Sequence, residues 1–325
     1  MRSFREHISE AKAAPSAVPE VTPKLIAKVA AMKPMTICDL LKQGKPDTLK
    51  RTMSGSFWEE SVARILKVTK LTGSVLHKFK KPKWVSEIEG YGSALRQWYE
   101  RQGGNKADII PLIMKMAACK NRAKWAKWSG KAWRGFRRTP AQIKGAYEFT
   151  DKIVKLSSGS DPCIVAKVKY KSKYPVQSWS SSLMVAETFA VNDNPDEVGT
   201  IGVMIQADIT EKEGFLSPEA NEFLNSAMHD EDEVLRIGNE AKEMPAYIII
   251  STLVDTLVTV GNGLVDRKTE AQIEDQSIPN AKRIELYLKV ATPKVASLIG
   301  ESNAKIVMNP KHPVCKLLLH YMRLA

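Results

Sequence analysis

The segment Cys163-Ile164-Val165-Ala166-Lys167-Val168-Lys169-Tyr170 ends in alternation of apolar and basic side chains. That pattern suits an extended strand with one buried and one wet face, because successive side chains leave a strand on opposite sides. Upstream the spacing is different. Residues 35–127 place apolar side chains at helical intervals: Ile37, Leu40 and Leu41, then residues 58–68, 94–99 and 109–119, with Gly103-Gly104-Asn105 fitting a helix end. A mainly helical first part followed by a strand-rich second part predicts an α+β protein.

Further elements can be placed in the second part. Residues 177–180 are extended, and Leu183, Val185, Ala186, Phe189 and Ala190 have helical spacing. A turn over 192–196 (Asn-Asp-Asn-Pro-Asp) precedes a strand over 200–207. Ser217-Pro218-Glu219 reads as a cap residue and first-turn proline of a short helix. Strands follow at 234–237 and 246–251, an apolar stretch with glycines at 253–265, a strand-like alternation at 283–290, and a terminal helix at 314–322. Trp179 and Phe189 are expected in the core. At the other end, residues 1–10 suggest a short helix and 13–34, rich in Ala, Pro and Lys, a flexible linker. The expected organisation is an N-terminal segment and linker over 1–34, a basic helical lobe over 35–127, and a core with a C-terminal extension over 128–325.

The chain has 325 residues, 43% of them hydrophobic, enough for a substantial core. Its four cysteines, Cys38, Cys119, Cys163 and Cys315, are widely separated and read as thiols in a reducing compartment. The five histidines show no ligand spacing, so no metal is expected. No run approaches the ~18 apolar residues that a membrane span needs, and nothing resembles a signal peptide. These features predict a cytoplasmic protein that makes no membrane contact.

Charge is concentrated. Residues 64–138 hold 19 Lys/Arg against 4 Asp/Glu, whereas the whole chain is +13. Trp84, Trp98, Trp125, Trp128 and Trp133 are interleaved with those basic residues, a combination found in nucleic-acid-binding surfaces and equally in amphipathic helices whose tryptophans face inward. Residues 208–243 hold 11 acidic and 3 basic side chains, a patch that would attract a basic partner.

Three short motifs occur in order: Trp133-Arg134-Gly135, Ser180-Ser181-Ser182 and Glu231-Asp232-Glu233. Together, over roughly residues 128–250, they resemble the arginine-type mono-ADP-ribosyltransferases, the Arg–Ser–Glu class that includes clostridial binary toxins and tailed-phage enzymes. Ser181 stands where the family has threonine. The resemblance implies an ADP-ribosyltransferase-like mixed β core and an enzyme that cleaves NAD and passes ADP-ribose to a protein arginine. It implies that Arg134 contacts the dinucleotide phosphates and that the Gly135 backbone approaches the nicotinamide amide. Ser180 and Ser182 line the NAD site, and Ser180 bonds Glu233. Glu233 stabilises the ribose, and Glu231 orients the acceptor guanidinium, both carboxylates sharing one face of an extended backbone. His229 beside them reads as an exposed turn residue. By analogy with the phage enzymes, the acceptor is an arginine-bearing host protein, such as bacterial transcription or translation machinery, met in the host cytoplasm or by an enzyme carried in the virion. Two other readings use the same residues: a basic nucleic-acid-binding or virion structural protein, and transfer from NAD to a nucleic-acid acceptor.

Overall fold

A computed structural model describes residues 20–100, 106–139, 147–149, 155–157, 163–191, 200–225, 232–253 and 267–324. The fold is α+β. The chain divides into two compact units, residues 1–123 and 124–325.

The first unit is helical throughout its described residues: α1 (Pro23–Ala30), α2 (Ile37–Leu41), α3 (Asp47–Met53), α4 (Phe57–Leu66), α5 (Gly73–Leu76), α6 (Lys83–Glu100) and α7 (Lys106–Ala117). Local chemistry explains the short helices. Thr36 opens α2 with a capping box, its hydroxyl accepting from the Asp39 amide at 3.2 Å while the Asp39 carboxylate accepts from the Thr36 amide at 3.0 Å. Thr22 caps α1 with Pro23 in its first turn, so the stretch read as linker contains a helix, held because Val29 buries beside Phe57, Trp58 and Val62. Two cysteines are not free thiols. Cys38 of α2 and Cys119, just beyond α7, form a disulfide with their Cα atoms 5.3 Å apart and 81 positions apart in sequence. Closing a loop of that length restricts the unfolded chain by about 4 kcal/mol. Cys163 and Cys315 are buried thiols.

The second unit is built on β1 (Trp128–Arg138), β2 (Tyr147–Phe149), β3 (Lys155–Ser157), β4 (Cys163–Tyr170), β5 (Val176–Ser180), β6 (Ile201–Phe215), β7 (Glu233–Ile237) and β8 (Lys242–Ile249). Helix α8 (Leu183–Val191) follows β5 and α9 (Pro218–Leu224) follows β6. After these come α10 (Arg267–Glu274), α11 (Asn280–Ile299), α12 (Glu301–Val307) and α13 (Pro313–Tyr321). Strand order is β1-β5-β7-β6-β8-β4-β2, with β3 also on β4 and a further β1–β6 pairing. Every pairing among the described residues is antiparallel. β6 closes the path on itself. Ile201–Ile209 of β6 run beside β1, and Gly214 and Phe215 at its end pair with β7, so β1, β5, β7 and β6 form a ring.

The two faces of the sheet carry different cores. Ala132, Phe136, Trp179, Val203, Ile205, Val234 and Ala246 pack with Tyr287, Ala291, Val295 and Ile299 of α11. The stretch read as a strand at 283–290 is thus part of α11, a 20-residue helix. Its buried residues recur at every fourth position and present one stripe. On the other face Cys163, Met204 and Ile249 pack with Ala186 and Ala190 of α8. That helix lies close: a Cβ at Gly135 would sit 1.6 Å from the Ala186 carbonyl oxygen, and one at Gly202 2.2 Å from that of Ala190. Phe189, expected in the core, is on the exposed side of α8. Gly135→Ala should therefore lower stability by several kcal/mol or block folding, since backbone must shift, while Gly44→Ala, with open space around it, is close to neutral. Urea unfolding of both variants checks this.

Candidate functional site

Strand β5 sorts its side chains by position. Trp179 points into the main core, 2% exposed, its ring edge-on to Tyr170 at 6.3 Å. Ser178 and Ser180, one residue to either side, leave from the opposite face. Across the ladder Trp179 stands opposite Val234, and Ser180 opposite Glu233. Ser178, Ser180 and Glu233 thus share a face, and the Ser178 hydroxyl donates to the Glu233 carboxylate. The Asn221 side-chain amide, from α9, donates to the Glu233 carbonyl at 2.6 Å.

The triple serine then turns into α8. The Ser180 hydroxyl accepts from the Ser182 amide at 3.0 Å, and the Ser182 hydroxyl accepts from the Val185 amide at 3.5 Å in the first turn of the helix. The Ser181 amide donates to the Asp232 carbonyl at 2.9 Å. Asp232 has φ 44°, the left-handed region that non-glycine residues seldom adopt. The chain therefore turns at Asp232, and β7 begins at Glu233. This overturns the expectation that one extended backbone carries the motif through its middle residue. Glu231 and His229 lie outside the described residues.

Arg134 is placed differently from Ser180 and Glu233. The β1–β6 register is continuous from Gly130 to Arg138, with Arg134 opposite Ile205 and Trp133 opposite both Gln206 and Ser180. By strand alternation Arg134 belongs to the face of Ala132 and Phe136, whereas Trp133, Gly135 and Arg137 share the face of the serine–glutamate pair. Gly135 is also accounted for otherwise than expected: the space left by its missing Cβ is filled by α8. Arg137 holds the far end of that helix, donating to the Val191 carbonyl at 3.2 Å and to Thr200.

Behind the site lies an ionic cluster built around a buried arginine. Arg236, 2% exposed, packs its guanidinium 5.7 Å from the Trp179 ring centroid and pairs with Glu213 at 3.5 Å. Lys242 also pairs with Glu213. Burial pushes the Glu213 carboxyl up, but hydrogen bonds from Lys242 and Thr210 outweigh it, and its pKa is held below the usual carboxylate value. Gln177 completes the polar lining, donating to the Gly238 carbonyl at 2.8 Å and accepting from the Trp179 indole at 3.3 Å.

Comparison with family models, curated proteins and solved structures finds no match to this chain. The site is therefore read from its own geometry. Sequence reasoning missed Ser178 and Asn221. Ser178 was accessible from the two-residue period of β5, whereas Asn221 depended on where α9 docks. Among the described residues no group of three or more His, Cys, Asp or Glu side chains is placed to hold a metal ion, and no helix is long and apolar enough to cross a membrane.

Glu213→Gln should cost about 3 kcal/mol at neutral pH, because it leaves the Arg236 charge buried without its anion. A carboxyl whose pKa is depressed by folding stabilises fully above its unfolded value and loses that contribution as pH falls through its folded value. The difference between wild type and variant in urea unfolding should accordingly shrink toward zero below about pH 4. A gap that stayed constant with pH would show that the charge of Glu213 is not what holds Arg236.

Proposed function

We propose that the second unit is an NAD-dependent mono-ADP-ribosyltransferase, with Glu233 as the carboxylate that acts on the nicotinamide ribose. The observation that carries this reading is the placement of Ser178 and Ser180 on the same face as Glu233, with the Ser178 hydroxyl bonded to that carboxylate. Breaking the bond between ribose and nicotinamide sends the electron pair out with nicotinamide and leaves positive charge on the ribose. A preorganised anion beside the ribose lowers the free energy of that state, and a hydroxyl bonded to the anion keeps it aimed. The order of the serine and glutamate motifs supports the same reading.

In this proposal Ser178 positions the Glu233 carboxylate and Ser180 supplies a second hydroxyl to the ribose side. Ser182 acts through the start of α8. Arg134, on the other face of β1, is assigned no contact with NAD. Glu231 orients the acceptor, a protein arginine. The excess of acidic residues over 208–243 favours a basic acceptor surface. The guanidinium nitrogen attacks the ribose carbon as nicotinamide departs, and its proton is lost to Glu231 or to water.

The test follows nicotinamide release and protein labelling in parallel, with NAD and a cell extract. Glu233→Gln should lower both by about 10²–10³-fold while leaving the far-UV circular dichroism unchanged. Glu231→Gln should suppress labelling yet retain nicotinamide release, because water still traps the ribose cation. Wild-type turnover in the Glu233 variant would overturn the proposal.

A further inference from the structure

The helical unit carries a cationic surface that the proposed chemistry does not use. Residues 64–86 contain seven Lys/Arg and no Asp or Glu. The segment wraps one small core: Leu71, Val75, Phe79 and Val85 bury against Val62, Ala63 and Leu66 of α4. Lys67, with φ 58°, turns the chain at the end of that helix. With the apolar positions facing inward, Lys67, Lys70, Lys78 and Lys80 are left exposed. Lys81 pairs with Glu89 and Lys83 with Glu87, whereas these four form no ion pair among the described residues.

We propose that Lys67, Lys70, Lys78 and Lys80 form a binding surface for a nucleic-acid phosphate backbone. Four uncompensated charges fixed around one core repel one another, and a polyanion relieves that repulsion by releasing its own condensed counterions. A membrane surface fits less well. Interfacial binding needs apolar side chains to insert, and no large hydrophobic residue between 64 and 86 is exposed. Recognition is of phosphates and not of bases. Trp84, the one aromatic residue between Lys80 and Tyr91, is half-buried against the core of this unit and makes a T-shaped contact with Phe57 at 6.2 Å, so its indole is taken up in packing. Lysines on flexible stems contact phosphates as point charges and carry no sequence information. The surface therefore binds without base preference and with strong dependence on salt.

The experiment is fluorescence anisotropy of the full chain with a labelled 20-base-pair duplex over a series of KCl concentrations. Four phosphate contacts give a log–log slope of about −3.6. Replacing Lys67, Lys70, Lys78 and Lys80 together by Gln should weaken binding at least tenfold at low salt and flatten the slope, and Arg at the same positions should restore both. A control replacing the exposed Lys282, Lys289, Lys305 and Lys316 by Gln removes the same net charge and should change neither. Two duplexes of unrelated sequence should bind alike. The proposal is overturned if the parent chain fails to bind at low salt, if the two quadruple variants lose binding equally, or if phosphatidylserine vesicles bind where the duplex does not.

Discussion

Burying Trp179 sets the orientation of β5, because a strand that turns one large side chain inward must turn both neighbours the other way. A slip of one residue would take the indole out of the main core and turn Ser178 and the already buried Ser180 into it without their partners. The indole is held by Tyr170, by the Arg236 guanidinium and by its bond to Gln177. Truncating a side chain of that size in a core costs about 3–5 kcal/mol. Arg236 belongs to β7, so the packing that orients β5 also fixes the strand that begins with Glu233. The serine–glutamate face is thus a consequence of what is packed on the reverse side of the sheet. Glu213 and Lys242 tie β6 and β8 to that packing, which joins the ring of strands to the rest of the sheet.

Side-chain period made several elements of the second unit legible in sequence. The alternation at Cys163–Tyr170 and the helical spacing after the serines correspond to β4 and α8, and Ser217 caps α9 by accepting from the Ala220 amide. Where period was ambiguous the reading failed. Ile284, Leu286 and Leu288 alternate as in a strand, yet Tyr287, Ala291, Val295 and Ile299 lie four apart, and the helical stripe is the one that buries. The strand expected at 246–251 begins earlier, at Lys242. Pro245 is accommodated because β6 pairs only with Ala246–Ile248, leaving the proline beyond the doubly paired part of β8.

Other features depend on proximity in space, which no local pattern encodes. Cys38 and Cys119 are brought together by the packing of helices, and their separation of 81 positions gave no sign of pairing. The missing side chain of Gly135 makes room for α8, a close approach that no local pattern shows. Arg134 lies in β1, and the face it takes follows from the register with β6. The motif spacing suggests an extended Asp232, but Asp232 turns the chain, with its carbonyl held by Ser181. The serine and glutamate motifs thus meet through backbone bonds as well as through side chains.

The most direct measurement is an amide chemical-shift titration of the isotopically labelled chain with NAD. The account predicts that perturbations concentrate on residues 178–182 and 232–235, where the serine strand meets Glu233 and Asp232. Absence of any perturbation at millimolar NAD would contradict it, as would a set of shifts confined to Ala132, Arg134 and Phe136 on the opposite face of β1.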